Sequence, residues 1–337
     1  MAGLPRCRGC DEPLSAQNDS EAHIIPNALG GRVKPKGIIC RTCNSELDKV
    51  ADNALIRAFR DWPTLLDIPR DRGSNPAKVI ETLSGRRVRL KPDGSMTAID
   101  IIYSATQIPD GHELKIGAGD IKTIRNLLKK AAKNYPVLDP KVAEQAARVV
   151  SIEDDDPLHM QFDFGTKAVF GGVLTATWLY LIHVTGHAFM DWDQLLQSIS
   201  KMQETGGTFR YLTDGLPGLD GPNIDLGHKI IVRSIPSTGE LIAYVEILGI
   251  LKIGGIFARS LHPPAAALEH IYVYDLTSET DRSAEFSVNA AVFEAQDWSS
   301  TGLGPDRADQ LRAHFLDAAN ILIEHYRRRF NEAGLPA

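Results

Sequence analysis

Apolar residues recur at helical spacing along several stretches of the chain. From about Thr42, Leu47, Val50, Ala54, Leu55, Ala58 and Phe59 form one stripe. Ile121, Ile124 and Leu128 predict a second helix over 119–134, and helices follow over 141–150 and 191–202. Leu311, Phe315, Ala318, Leu322 and Tyr326 predict an amphipathic C-terminal helix, with Arg327, Arg328 and Arg329 complementing its dipole. The run 168–190 carries no formal charge and is long enough to span a bilayer, but it has no flanking Lys/Arg cluster and no second span accompanies it. It is expected to be a buried core helix. Strands are predicted at 229–233, 241–248, 251–258 and 270–275, where β-branched and aromatic residues cluster between Gly, Pro and Ser breaks. Residues 79–83, 86–91 and 98–103 predict antiparallel strands around a Pro-Asp-Gly turn, and 206–227 a Gly/Pro/Asp-rich loop.

The fold class is therefore α+β. Composition and length suggest an N-terminal module over 1–60, a linker and β-hairpin connector over 61–110, and a larger mixed α/β domain over 111–337. No internal repeat, phosphate-loop motif or dinucleotide fingerprint is present.

Charge changes this picture in one respect. The 337 residues sum to −6, yet residues 1–90 hold 15 Lys/Arg against 11 Asp/Glu. The head is positive and the rest acidic, so the total excludes a uniformly basic packer of nucleic acid but not a local phosphate-binding face. Arg87, Arg89 and Lys91 alternate with Val88 and Leu90, which makes one strand face basic. Lys122, Arg125, Lys129 and Lys133 share a helix face opposite the apolar stripe. Such stripes are commonly plain solvated surface, and phosphate contacts are the alternative reading. The N-terminus shows no apolar signal region, and a cytoplasmic location is expected.

All four cysteines, Cys7, Cys10, Cys40 and Cys43, lie in two C-x-x-C knuckles near the N-terminus. Disulfides would need an oxidising compartment that nothing here supports. A redox pair would ordinarily use one such motif, so a structural Zn²⁺ held by four thiolates is favoured. Between the knuckles, Ile24 and Ile25 suit a short strand, Gly30-Gly31 a tight reversal, and 37–40 a return strand. After the second knuckle, Asn44, Asp48 and Asp52 fall at i, i+4 and i+8 and line one helix face.

With the knuckles framing His23-Ile24-Ile25-Pro26, then Leu29-Gly30-Gly31, and with Cys43 running into Asn44, residues 5–55 resemble the HNH endonucleases, the ββα-metal nucleases, in their zinc-knuckle subgroup. The resemblance implies a metal-dependent DNA endonuclease. His23 would be the general base that deprotonates water, and Asn44 and Asp48 would hold a catalytic Mg²⁺ or Mn²⁺. Where many members have a metal-ligating residue before this histidine, the chain has Ala22; Glu21, Asp52 or a water is left to supply that ligand. The position of the middle Asn that orients the histidine in many members is Pro35.

A small nuclease head with a larger partner domain resembles restriction and phage-defence nucleases, the partner serving target recognition or oligomerisation. Two heads on a homodimer would cut both strands, and one head would nick. A non-catalytic zinc-knuckle binding protein, or an RNA-directed nuclease, is the alternative. His183 and His187 are four residues apart and read as core or polar-network histidines, since no third ligand accompanies them.

Overall fold

The computed structural model describes residues 5–71, 73–92, 94–148, 156–164, 167–259, 268–304 and 307–332. The chain divides into two compact units, residues 1–74 with 162–337, and residues 75–161. The expected boundaries at 60 and 110 do not coincide with these units. The N-terminal segment folds with the C-terminal half, and the separate unit is the stretch between them.

In the first unit, helix α1 (Arg41–Leu47) starts at Cys40, whose sulfur accepts from the backbone N–H of Cys43. One π turn (Asp48–Asp52) follows, then α2 (Asn53–Phe59). The wider turn shifts the phase of the apolar stripe. Leu47, Ala51, Leu55, Ala58 and Phe59 are buried, whereas Val50, expected inside, is exposed. The expected linker after Phe59 is packed structure: α3 (Trp62–Leu65), Leu66 and Ile68 are all buried. Trp62 stacks on Phe162 with ring centroids 4.6 Å apart. Burial of these apolar side chains overrides the turn preference of the neighbouring Pro and Asp residues.

The expected hairpin between the knuckles forms only as isolated pairings. Asp19 bridges Cys40, the Ile24 N–H donates to Val33 O at 3.0 Å, and a 3₁₀ turn occupies Asn27–Leu29. Pro26 and Pro35 have no N–H to give to a ladder, which limits pairing to single bridges.

The second unit begins with β1 (Lys78–Glu81), β2 (Arg87–Leu90) and β3 (Met96–Ala98), antiparallel in that order. The strand expected across 98–103 is two elements, because β4 (Ile102–Ile108) pairs instead with β5 (Gly111–Gly117) as a separate ribbon. Helix α4 (Ile121–Asn134) is capped by Asp120, whose carboxylate accepts from the Thr123 N–H at 2.8 Å, and it buries Leu128 and Ala131. Helix α5 (Pro140–Ala146) is shorter than the predicted 141–150, of which 149–150 lie outside the described residues. Of the acidic run 153–156, Asp156 alone is described, and it accepts from Ser84 Oγ at 2.5 Å.

Returning to the first unit, α6 (Ala168–Thr185) is the uncharged helix. It is long and apolar enough to cross a membrane, but 78% of that window is buried inside the protein, as expected of a core helix. Thr175 and Thr177 donate their hydroxyls back to carbonyls one turn earlier, which satisfies them without water. Helix α7 (Trp192–Thr205) opens with an Asp191/Gln194 capping box. The strands are β6 (Phe209–Tyr211), β7 (Leu219–Asp220), β8 (Gly227–Ile235), β9 (Glu240–Ile247), β10 (Leu251–Arg259), β11 (Glu269–Asp275), β12 (Thr280–Asp281) and β13 (Ser287–Val288). Six of them form one antiparallel sheet in the order β12-β11-β8-β9-β10-β6, and β13 pairs with β7. Helices α8 (Ala290–Glu294) and α9 (Ala308–Glu332) follow, the latter burying Leu311, Ala318 and Leu322; the Tyr326 and Arg329 side chains lie outside the described residues.

Several bonds fix the N-terminal segment to this framework. A Cβ on Gly172 would lie 2.8 Å from the Leu55 Cβ, so only glycine lets α6 approach α2 this closely. Gln203 Nε2 donates to Val50 O at 2.6 Å within the π turn. On β8, the fully buried His228 donates from Nε2 to Leu29 O at 2.9 Å. Burial holds its pKa down to about 4, so the ring is neutral at neutral pH and this anchor does not titrate there.

Candidate active site

The two knuckles meet face to face. The Arg8 N–H donates to Ile38 O at 2.8 Å, zipping the first knuckle to the strand-like entry of the second. The Sγ atoms of Cys7, Cys10, Cys40 and Cys43 all lie within 4.8 Å of one another, with Cys10 and Cys40 3.7 Å apart. Cys7 Sγ accepts the N–H groups of Gly9 (3.3 Å) and Cys40 (3.2 Å). Burial pushes the Cys7 thiol up, but hydrogen bonds from Cys10, Cys40 and Gly9 outweigh it and bring the thiol to about 7. Burial, with the neighbouring Cys40 and Cys7 sulfurs, pushes Cys43 the other way. Four clustered sulfurs with backbone donors are the donor set of a structural zinc site.

His23 sits on the turn that follows the first knuckle. Ala22 is buried at 1% exposure, while the flanking Glu21 is exposed and His23 partly exposed. The position of the absent metal ligand therefore belongs to the core. His23 Nε2 is 3.0 Å from Asp71 Oδ2. The same carboxylate accepts from Lys34 Nζ at 2.5 Å and lies 3.4 Å from Arg32, whose other arm reaches Glu279 at 2.7 Å. Hydrogen bonds from Lys34 and His23 hold the Asp71 carboxyl down at about 2, so it stays ionised. Asp71 was not found by sequence reasoning. It lies 48 residues from His23 in a stretch whose composition suggests a linker, and no local spacing points to it.

Asn44 lies in α1, and Asp48 and Asp52 open and close the π turn that follows it. Asp48 and Asp52 share a hydrogen bond between carboxyls, and among the described residues neither carries an ion pair. Burial, then the charge of Asp48, pushes the Asp52 pKa up to about 8. Two adjacent carboxyls without a cation, one of them keeping a proton, form a donor set that suits a hard divalent ion. Glu21 is directed elsewhere, to Lys36 at 3.0 Å and Lys34 at 3.9 Å. Among the described residues, the cysteines alone gather three or more His, Cys, Asp or Glu ligand atoms into one cluster. The His23–Asp71 pair and the helix carboxyls share no hydrogen bond there.

The Asp52 proton carries a stability consequence. The native state holds it to about pH 8, whereas an unfolded aspartate loses it near about 3.9. Between those values the folded chain binds more protons, so stability falls as pH rises. In Asp52→Asn, which mimics the protonated form, urea unfolding at pH 5 and pH 8 is expected to show a smaller loss than wild type. Equal losses would place the proton elsewhere.

In the second unit, Arg87 and Arg89 are exposed on β2, and Lys91 follows the strand end, partly buried. Lys122, Arg125, Lys129 and Lys133 are exposed on α4, where Arg125 pairs with Glu144 at 2.6 Å. Arg89 also lines a shallow cleft with Asp120 and Thr123 at the α4 cap. His183 and His187 are exposed, one near the end of α6 and one beyond it, not core residues as expected. His183 lies on the exposed face of the last turn of α6, and the chain turns at Gly186, with φ 73°, before His187.

A cage of four thiols at the foot of a short helix makes residues 7–43 a cysteine-framed module able to hold a metal ion. More particularly, residues 7–60 match the family model described as HNH endonuclease. Comparison with curated proteins and with solved structures gives no match.

Proposed function

We propose that the protein is a metal-dependent endonuclease that hydrolyses phosphodiester bonds of DNA. The observation that carries this reading is the HNH family match coinciding with a partly exposed His23 braced by an ionised carboxylate. In the reaction, His23 takes a proton from the attacking water. Asn44, Asp48 and Asp52 would hold one Mg²⁺ or Mn²⁺, whose role when bound is to neutralise charge on the scissile phosphate and the leaving 3′ oxygen. Zinc at the cysteines stabilises the frame and takes no part in the chemistry. The deciding experiment offers supercoiled plasmid, modified and unmodified duplex, single-stranded DNA and RNA in Mg²⁺ or Mn²⁺. Nicked or linear plasmid supports the reading; RNA cleavage alone redirects it. Buried Ala22 favours one second reading, a domain that binds nucleic acid without cutting, and retained binding with no metal-dependent product would establish that instead.

The exposed cations of the second unit are proposed to grip the DNA backbone, and target choice to reside outside the nuclease segment. Each phosphate contact releases counterions, so affinity falls with salt by about 0.9 logarithmic units per contact. Lys129→Glu combined with Lys133→Glu is expected to weaken binding and flatten that slope by about two contacts' worth. Unchanged binding across a salt series would remove α4 from the interface.

A further inference from the structure

His23 needs a partner that fixes its ring, because a base is useful only if the correct nitrogen is bare and aimed. Pro35 has no side chain that can hydrogen-bond the imidazole. Asp71 can, and its place is determined by packing. Ile68 is fully buried, and its Cγ2 would lie 2.7 Å from a Cβ at Gly30, whose φ of 89° also favours glycine. The Asp71 N–H then donates to Asn27 Oδ1 at 3.0 Å, so the segment is pinned to the same turn that presents His23. Lys34 and Arg32 balance the carboxylate charge, which keeps it from repelling an approaching phosphodiester.

We propose that Asp71, which lies outside the family-matched segment, is the positioning residue of His23: it accepts a hydrogen bond from Nε2–H and leaves Nδ1 as the bare nitrogen. Among the described residues, Nδ1 has no protein partner. When Nδ1 takes the proton of the attacking water, the imidazolium is held against a carboxylate, which stabilises the charge that develops. The inference rests on the reading of His23 as the general base.

The test uses the full-length zinc-loaded protein and its Asp71→Ala, Asp71→Asn and His23→Ala variants. Zinc content and thermal midpoint are measured first; Asp71→Asn keeps the side-chain shape should the alanine variant fold poorly. Nitrogen-15 spectra of labelled histidine are taken at about pH 8, where an ordinary histidine is neutral. Wild type is expected to show one His23 tautomer, protonated at Nε2, and Asp71→Ala a mixture of both. In plasmid nicking with Mg²⁺, Asp71→Ala is expected to lower kcat by about 10²-fold or more, with KM for DNA within about threefold. An unchanged tautomer in Asp71→Ala, or wild-type kcat in both Asp71 variants while His23→Ala is inactive, overturns the proposal and leaves the base intact. Full activity in His23→Ala, or no cleavage by wild type, overturns the nuclease reading of His23; the tautomer spectra still decide whether Asp71 sets the ring.

Discussion

His23→Ala is expected to lower metal-dependent scission of plasmid DNA by about 10²–10⁴-fold, the range that a positioned general base contributes. The fold should survive the change. The side chain is 23% exposed, and the interaction it loses is the bond to Asp71, which keeps Lys34 and Arg32 as partners. A hydrogen bond to a charged group is worth about 1.5–3 kcal/mol, a tolerable loss for a chain of this size. Zinc content should not change, because no thiol touches the ring. The measurement is the initial rate of nicking in Mg²⁺, with metal-free controls clean. A variant that still nicks at the wild-type rate would remove His23 from the mechanism, and the helix carboxyls with their ion would have to carry the chemistry alone.

What the sequence made legible follows the range of the interactions concerned. The cysteine cage, α4 with its basic stripe and the strands β8–β11 are all local: spacing or alternation within a few residues encodes them. Phase was harder. The π turn at Asp48–Asp52 puts Ala51 in the core in place of Val50, and a regular 3.6-residue period contains no sign of it. Long-range packing was not legible at all. The N-terminal segment looked like a tethered head because its charge and cysteines differ from the rest of the chain. Yet Leu55 lies on Gly172, and Leu29 O is held by His228. Asp71 belongs to the same class of miss. Its partner is distant in sequence, and Trp62, Leu65 and Ile68, which fold the supposed linker into the core, are too few to give a periodic signal.

Substituting a buried knuckle cysteine is expected to have the largest effect of all on stability. Structural zinc contributes roughly 10–16 kcal/mol of binding free energy in small zinc-finger peptides at neutral pH, comparable to the whole stability of a typical domain. Here the cage ties Cys7 to the Cys40 N–H and starts α1, so losing the ion releases the knuckles and the first turn of the helix that carries Asn44. Cys43→Ser is expected to lose zinc, lower the thermal midpoint by many degrees and abolish cleavage even though no acid–base residue has changed. Cys10, the exposed member, should cost less when replaced, because water can reach its position. Acid should mimic the substitution. Burial and neighbouring sulfurs push Cys43 towards its protonated form, so zinc must displace protons to bind and its affinity falls as pH falls. Metal content after dialysis, read with a chromogenic chelator alongside the melting curve, checks both points. If Cys43→Ser kept stoichiometric zinc and an unchanged midpoint, the thiols would not be the ligands and the frame around His23 would need another source of rigidity. The packing on α6 and the His228 anchor would then have to hold the site unaided. In that event, replacing His228, whose ring is neutral and fully buried against Leu29 O, would become the more damaging change.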